Sequence, residues 1–304
     1  MSPTRIGLVL PMASGDTRRV LAFARRAEEL GFDGLFAFDH LFPPGAPSDR
    51  PCLEAYATLS AVATSTSRVR IGTLVTRACL RPAAQLARQA VALDDVSGGR
   101  FVLGIGTGDE LSRAEHVAFG LPYLGPGVRA RHLVETVRAA RALFRGDPVP
   151  GGEHVRAMDG PLLPAPRTPG GPPVWMGGAS EAAVRAAARE ADGWNGWGLD
   201  VATFASRVAL LRAEAGVRRV EPTWGGAAVV GRDAAEAEAI SAGRRERGIV
   251  ADAFSGGIED AAAWLARLAE AGATWAIVLA AGGTYRMELV GERVLPLLAG
   301  RTSA

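Results

Sequence analysis

Asp39-His40 is the pair in this chain best placed to do chemistry. It closes the apolar run Leu35-Phe36-Ala37-Phe38 and precedes the loop Leu41-Phe42-Pro43-Pro44-Gly45. The run is too short for a helix and too uniformly apolar for a half-exposed strand. It predicts a strand buried on both faces, as in a parallel sheet. The carboxyl end of such a strand is where α/β folds carry their sites. A neutral imidazole there can donate or accept a proton near neutral pH. Successive strand residues point to opposite sides, so one of the pair can face a ligand while the other orients a loop. The plainer reading makes Asp39 a loop cap and His40 a satisfied structural histidine, although burying both without purpose is costly.

Two glycine-rich stretches come next. Gly104-Ile105-Gly106-Thr107-Gly108 ends a strand-like run, and clustered strand glycines mark a close approach to the backbone. The spacing is GxGxG followed by Asp109, which disfavours a dinucleotide-binding turn. Asp109, Glu110 and Glu115 follow; the plain account of them, of Glu115 above all, is the acid preference of a helix N-terminus. Gly177-Gly178-Ala179-Ser180 leaves a strand and opens a helix. Free N–H groups and the helix dipole make a phosphate site there, with Ser180 as N-cap or phosphate donor. Thr73-Leu74-Val75-Thr76, taken alone, is an ordinary strand end.

The elements that must hold these residues alternate. Strands are predicted at 6–10, 35–38, 70–76, 100–108, 174–176, 193–195, 227–230 and 275–279. Helices are predicted between them, among them 17–30 behind an Asp16 or Thr17 cap, 53–66, one opened by Pro82, 128–143, 201–215 and 287–298. Residues 146–172 are rich in proline and glycine and read as an insertion, because the pattern resumes after them. Eight strands alternating with helices in one domain spanning 1–304 predict an α/β fold, a (β/α)8 barrel with loop insertions. A doubly wound sheet is the alternative. In the barrel, the four candidate stretches ring one mouth. A phosphate cradle facing a histidine across a glycine wall suits a flat phosphorylated cofactor.

Composition narrows the classes. The 304 residues are 48% hydrophobic and 22% charged with a net charge of +2, which excludes the basic footprint of a nucleic-acid binder. All 34 basic residues are arginine, so lysine Schiff-base chemistry and a phosphate-loop lysine are excluded. Cys52 and Cys79 form no CxxC and no dense framework, which argues for a reducing compartment. His40, His116, His132 and His154 lack metal-ligand spacing, and no metal is expected. Neither a secretory leader nor an apolar run long enough for a bilayer is visible, so a cytoplasmic location and no membrane partner are expected.

Four segments together resemble the bacterial luciferase-like family over nearly the whole chain: AEELGFDGLFAFDHLF (Ala27–Phe42), RVRIGTLVT (Arg68–Thr76), GGRFVLGIGTGDELSRAEHVAFGLP (Gly98–Pro122) and PPVWMGGASEAAVRAAAREADGWN (Pro172–Asn195). The resemblance implies a TIM barrel and an oxidoreductase that binds FMN or the deazaflavin coenzyme F420. The Asp-His pair resembles the F420 branch. It implies that Asp39 contacts the deazaflavin head and that His40 is the catalytic acid–base or polarising group. Thr73, Leu74, Val75 and Thr76 would form a bulge behind the ring, with a non-proline cis peptide at Leu74–Val75 or the bond before. Gly106, Thr107 and Gly108 would flank the ring, and Gly177, Gly178, Ala179 and Ser180 would hold the phosphate. Asn195 joins the implied cofactor contacts, and Asp109 is the second implied catalytic residue.

Members that oxidise sugar phosphates carry a Trp where this chain has Pro44, a Glu where it has Asp109, and lysines that it lacks. Glucose 6-phosphate oxidation is therefore not expected. The implied activity is hydride transfer between F420 and a small organic substrate. An FMN-dependent monooxygenase served by a separate reductase is the alternative, and a non-catalytic cofactor-binding member a further one. A homodimer is the implied assembly.

Overall fold

The apolar run before Asp39 is a strand, and nine others accompany it. The computed structural model describes residues 3–43, 49–246, 252–281 and 283–301. Its strands are β1 (Arg5–Val9), β2 (Gly34–Ala37), β3 (Arg70–Thr73), β4 (Thr76–Arg77), β5 (Phe101–Gly106), β6 (Val174–Gly177), β7 (Gly193–Trp197), β8 (Glu221–Val230), β9 (Asp252–Gly256) and β10 (Trp275–Ala280). All their ladders are parallel, in the order β10-β1-β2-β3-β5-β6-β7-β8, with β4 beside β5. A ladder from Trp275–Ala280 to Thr223–Ala228 joins the ends. With β3 and β4 counted as one interrupted strand, eight strands form a closed (β/α)8 barrel. That closure sets aside the doubly wound alternative. β9 lies outside the ring, extending from the far end of β8.

The helices are α1 (Thr17–Glu29), α2 (Ala55–Ser65), α3 (Ala83–Val96), α4 (Arg113–Ala118), α5 (Pro126–Arg145), α6 (Glu181–Glu190), α7 (Val201–Ala215), α8 (Ala234–Glu246), α9 (Ile258–Glu270), α10 (Thr284–Leu289) and α11 (Leu295–Arg301). Asp16 starts α1 by accepting from Arg18 N–H at 2.9 Å, and Gly31 ends it at φ +89°. Pro82 precedes α3 as its cap instead of occupying the first helical position. Among the described residues no helix is long and apolar enough to cross a membrane.

Three large rings fill the barrel lumen. Phe36 stacks on Trp175 at 5.6 Å, and both meet Trp275 edge-on, at 5.7 and 5.9 Å. Glycines opposite make the room: a Cβ on Gly34 would lie 2.8 Å from Trp275, and one on Gly193 2.4 Å from Trp175. Such large-against-small pairing fits the narrow interior of a small barrel. Outside the ring, apolar side chains of strands and helices form the larger core.

The structure differs from the sequence reading in several elements, among them the helix expected over 287–298, which starts at Thr284 and is interrupted by a π turn at Val290–Val294. The strand expected over 70–76 breaks between Thr73 and Thr76. The seventh ring strand starts at Glu221, six residues before the expected 227, because its Trp-Gly-Gly centre carries little strand signal. β9 and α4 were not expected at all; each is only five or six residues long. Residues 146–172 are an irregular excursion with one antiparallel bridge among the described residues, Val149 to Met158.

Candidate active site

Five consecutive ring strands deliver their carboxyl ends to one mouth: β2 brings Asp39-His40, β3 and β4 the 73–76 segment, β5 Gly106–Gly108, β6 Gly177–Ser180, and β7 Asn195. His40 and Ser180 therefore open on the same end of the molecule.

Asp39 and His40, just beyond the end of β2, bond different partners. His40 Nδ1 lies 2.5 Å from Glu115 Oε1, so the ring N–H donates to that carboxylate and Nε2 has no partner among the described residues. The other Glu115 oxygen accepts from Leu41 N–H at 2.6 Å and from Arg77 Nη2 at 2.8 Å. Glu115 is completely buried and Arg77 is 3% exposed. Burial works against ionisation of Glu115. The His40 and Leu41 hydrogen bonds, with the His40 and Arg77 charges, outweigh it and hold the carboxyl below its usual range. His40 keeps 18% of its side chain exposed toward the mouth. Phe38 packs edge-on against its ring at 5.9 Å and against Trp197 at 5.2 Å, giving the histidine an apolar flank.

Asp39 is buried and turned inward. Its carboxylate accepts from Thr76 Oγ1 and from both terminal nitrogens of Arg81, Nη2 at 3.1 Å. Arg81 also bonds Glu54 at 3.1 Å and lies 4.7 Å over the Tyr56 ring. Asp39 thus ties the mouth to the 78–82 segment and to α2. Cys52 sits close enough to feel Glu115 and Asp39; burial first, then those charges, push its thiol up to about 11, so it is an inert thiol.

The 73–76 segment is a bulge with a cis peptide at Leu74–Val75. Thr73 Oγ1 fixes it to β5, donating to Gly104 O at 2.8 Å and accepting from Gly104 N–H at 3.0 Å. The Val75 side chain reaches over the neighbouring strands. A Cβ on Gly106 would lie 2.5 Å from Val75 Cγ2, and one on Gly177 3.1 Å from Cγ1. The close approach that the glycines signalled is therefore, in part, the approach of Val75.

Gly177-Gly178-Ala179-Ser180 forms the expected turn into α6. Gly178, at φ +155°, has Ala183 Cβ 2.6 Å from where its own Cβ would stand. Gly178 N–H donates to Asn195 O at 3.1 Å, and Trp194 Nε1 donates to Gly178 O at 2.8 Å. Ser180 Oγ caps α6 by accepting from Ala183 N–H at 3.2 Å. The next N–H groups, of Glu181 and Ala182, have no acceptor among the described residues. Arg207 stands beside them, bonding Ala179 O at 3.2 Å. Asn195 is 2% exposed and its amide donates to Thr223 Oγ1 at 3.0 Å, so that group is turned into the barrel wall.

Asp109 does not join His40. It is exposed and caps a short 3-10 turn, its Oδ1 accepting from Ser112 N–H at 3.1 Å. The acid that does join His40 is Glu115, which the sequence reading treated as a helix N-terminal charge. Gly108, at φ +70°, lets the chain turn out of β5 toward that cap. Thr107 Oγ1 is occupied locally with Gly108 O at 2.9 Å. Pro44, where relatives that oxidise sugar phosphates would carry Trp, lies outside the described residues.

Comparisons with known proteins give the family and the fold. The chain is 31% identical over 255 residues to an F420-dependent hydroxymycolic acid dehydrogenase of Mycobacterium tuberculosis, covering 81% of this chain and 68% of that one. It is 33% identical over 199 residues to an F420-dependent glucose-6-phosphate dehydrogenase of Nakamurella multipartita, covering 63% of this chain and 56% of that relative. Among solved structures, an F420-dependent secondary alcohol dehydrogenase in complex with an F420-acetone adduct superposes with a TM-score of 0.83 at 20% identity, covering 97% and 99% of the two chains. The monooxygenase RslO1 of Streptomyces bottropensis gives 0.77 at 20% identity, covering 96% and 99%. The model of the luciferase-like monooxygenase family matches residues 1–284, and the chain belongs to that family.

Proposed function

We propose that this protein is an F420-dependent oxidoreductase that moves a hydride, in either direction, between the deazaflavin and a small organic substrate. The observation that carries the reading is the His40–Glu115 pair at the barrel mouth. Its Nδ1 bond to a buried carboxylate fixes the ring and leaves Nε2 to the ligand. The names of the Mycobacterium and Nakamurella relatives, both F420-dependent, support the choice of cofactor.

The residues present fit the group. A floor raised by Val75, a cradle at Gly178 that a Cβ would fill, and unpaired N–H groups opening α6 suit a flat ring with a phosphorylated tail. Ser180 and Arg207 stand where they would hold the phosphate. When bound, the deazaflavin would supply the carbon that gives or takes hydride. His40 Nε2 would hold or receive the proton of the substrate's reacting oxygen, and Phe38 and Trp197 would keep that side dry. The two relatives act on different substrates, and no free lysine exists here to grip a sugar phosphate, so the substrate is left at the level of a small alcohol or carbonyl compound.

Two measurements test this. Fluorescence titration should show tight binding of F420 and weak binding of FMN; the reverse result supports the FMN-dependent monooxygenase reading, and binding of neither supports a non-catalytic member. His40→Ala should lower turnover by about 10²–10⁴ with cofactor affinity nearly unchanged; unaltered turnover removes His40 from the chemistry.

A further inference from the structure

Phe38 and Trp197 form a strut across the mouth. They stand at the carboxyl ends of β2 and β7, four places apart in the closed ring of eight and so opposite each other. Their rings meet edge-on, centroids 5.2 Å apart. The features that fit the cofactor lie on one side of this strut: the Val75 bulge, the glycines of β5 and the turn into α6 belong to the strands from β3 to β6. The ends of β8, β10 and β1 make the other side. We infer that this other side is the substrate's, and that it takes an uncharged alcohol or carbonyl compound by an apolar substituent, selected by Trp197 and Leu279. The inference rests on the oxidoreductase reading above.

Leu279, on β10, packs on the lumen cluster of Phe36, Trp175 and Trp275, as Phe38 and Val75 do. Its ladder partner on β8 is Ala227, and β1 ends in Val9. Trp197 leans to this side: a Cβ on its ladder partner Gly225, also on β8, would stand 2.7 Å from the indole Cε3. Trp197 is nonetheless 38% exposed, a large apolar ring offered to whatever binds there. Just past these strands, Arg286 donates to Val230 O at 3.2 Å and to Glu236 at 3.1 Å, and Arg232 donates to the same carboxylate at 3.2 Å. Those charges are engaged. A carboxylate or phosphate would shed water against Leu279 and Trp197, whereas an alkyl or aryl group gains by burial. His40 stands at the β2 end of the strut, 5.9 Å from Phe38, where its Nε2 can serve the reacting oxygen. The side toward Val75 is left for the cofactor ring to close, so this pocket is complete only with the cofactor seated.

The full chain with F420 tests this on straight-chain alcohols of increasing length and on hydroxy acids of the same lengths as sodium salts. The matching carbonyl compounds with reduced F420 give the reverse direction. kcat/KM should rise about fourfold per added methylene until the pocket is filled, and the hydroxy acids should be poorer by about tenfold or more. Trp197→Ala and Leu279→Ala should each flatten the rise, while F420 affinity, read by fluorescence titration, stays near the parent's. Trp197→Phe keeps an apolar ring and should keep most of the rise. Val75→Ala, on the cofactor side, should do the reverse, weakening F420 and keeping the rise. If F420 binds but the rise is absent, the hydroxy acids are preferred, no uncharged compound turns over, or Trp197→Ala keeps the parental rise, this inference falls and the oxidoreductase reading stands. If F420 does not bind, both fall.

Discussion

Glu115 shows what a carboxylate can do when nothing near it in sequence announces it. His40 and Asp39 were legible, because two titratable residues close a buried run. Glu115 was not. It follows Asp109 and Glu110 in a stretch that reads as ordinary helix-start acid, and its partner lies 75 positions away. Only the fold brings them together. The two changes at this position should separate its two duties. Glu115→Ala leaves Arg77 buried without a counter-charge and should cost about 3–5 kcal/mol, read by urea unfolding. Glu115→Gln keeps the shape and an accepting oxygen but removes the negative charge from beside the imidazole. It should lower kcat by about 10²-fold or more while F420 affinity, read by fluorescence, stays near the parent's. A Gln variant with parental kcat would reduce Glu115 to a structural acid.

Whole strands and turns pose a different problem. The glycines of β5 were visible as a signal of close approach, yet their cause was hidden, since it comes from the Val75 bulge on another strand. The bulge itself was expected only from family resemblance; composition gave an ordinary strand end. Gly106→Ala should press on Val75 Cγ2, a movable side-chain atom, and cost about 1–3 kcal/mol together with loss of cofactor binding. Gly104→Ala should be the worse of the two, because its Cβ would stand 2.1 Å from Thr73 O, a backbone atom with nowhere to go. Comparing the two by thermal unfolding checks the order.

Glu236 locks another junction, where α8 meets α10. It accepts from Arg286 at 3.1 Å and from Arg232 N–H at 2.6 Å. Those bonds, led by that from Arg286, lower its carboxyl to about 2 from 4.5. A depressed carboxyl adds stability in full above pH 4.5 and loses it as the pH falls toward 2. The stability gap between parent and Glu236→Gln should accordingly be widest above pH 4.5 and close near pH 2, as urea titrations at each pH would show. A gap that does not narrow contradicts the assignment.

At the scale of the molecule, alternation of strand and helix sufficed to predict the barrel, since each buried strand carries its own apolar run. The short elements β9 and α4 escaped because five or six residues hold too little periodicity to stand out. The convergence of separated loops on one rim followed from the barrel rule and is what the ring order displays.

The three rings packed across the lumen have a kinetic corollary. Phe36, Trp175 and Trp275 stopper the axis, so among the described residues a ligand at the His40 mouth has no way through the lumen to the other end. Whatever rests on the Val75 floor must enter before its companion and depart after it. Initial-rate and product-inhibition patterns should therefore be those of compulsory-order traffic, cofactor first in and last out; a random-order pattern would mean that the mouth admits both side by side.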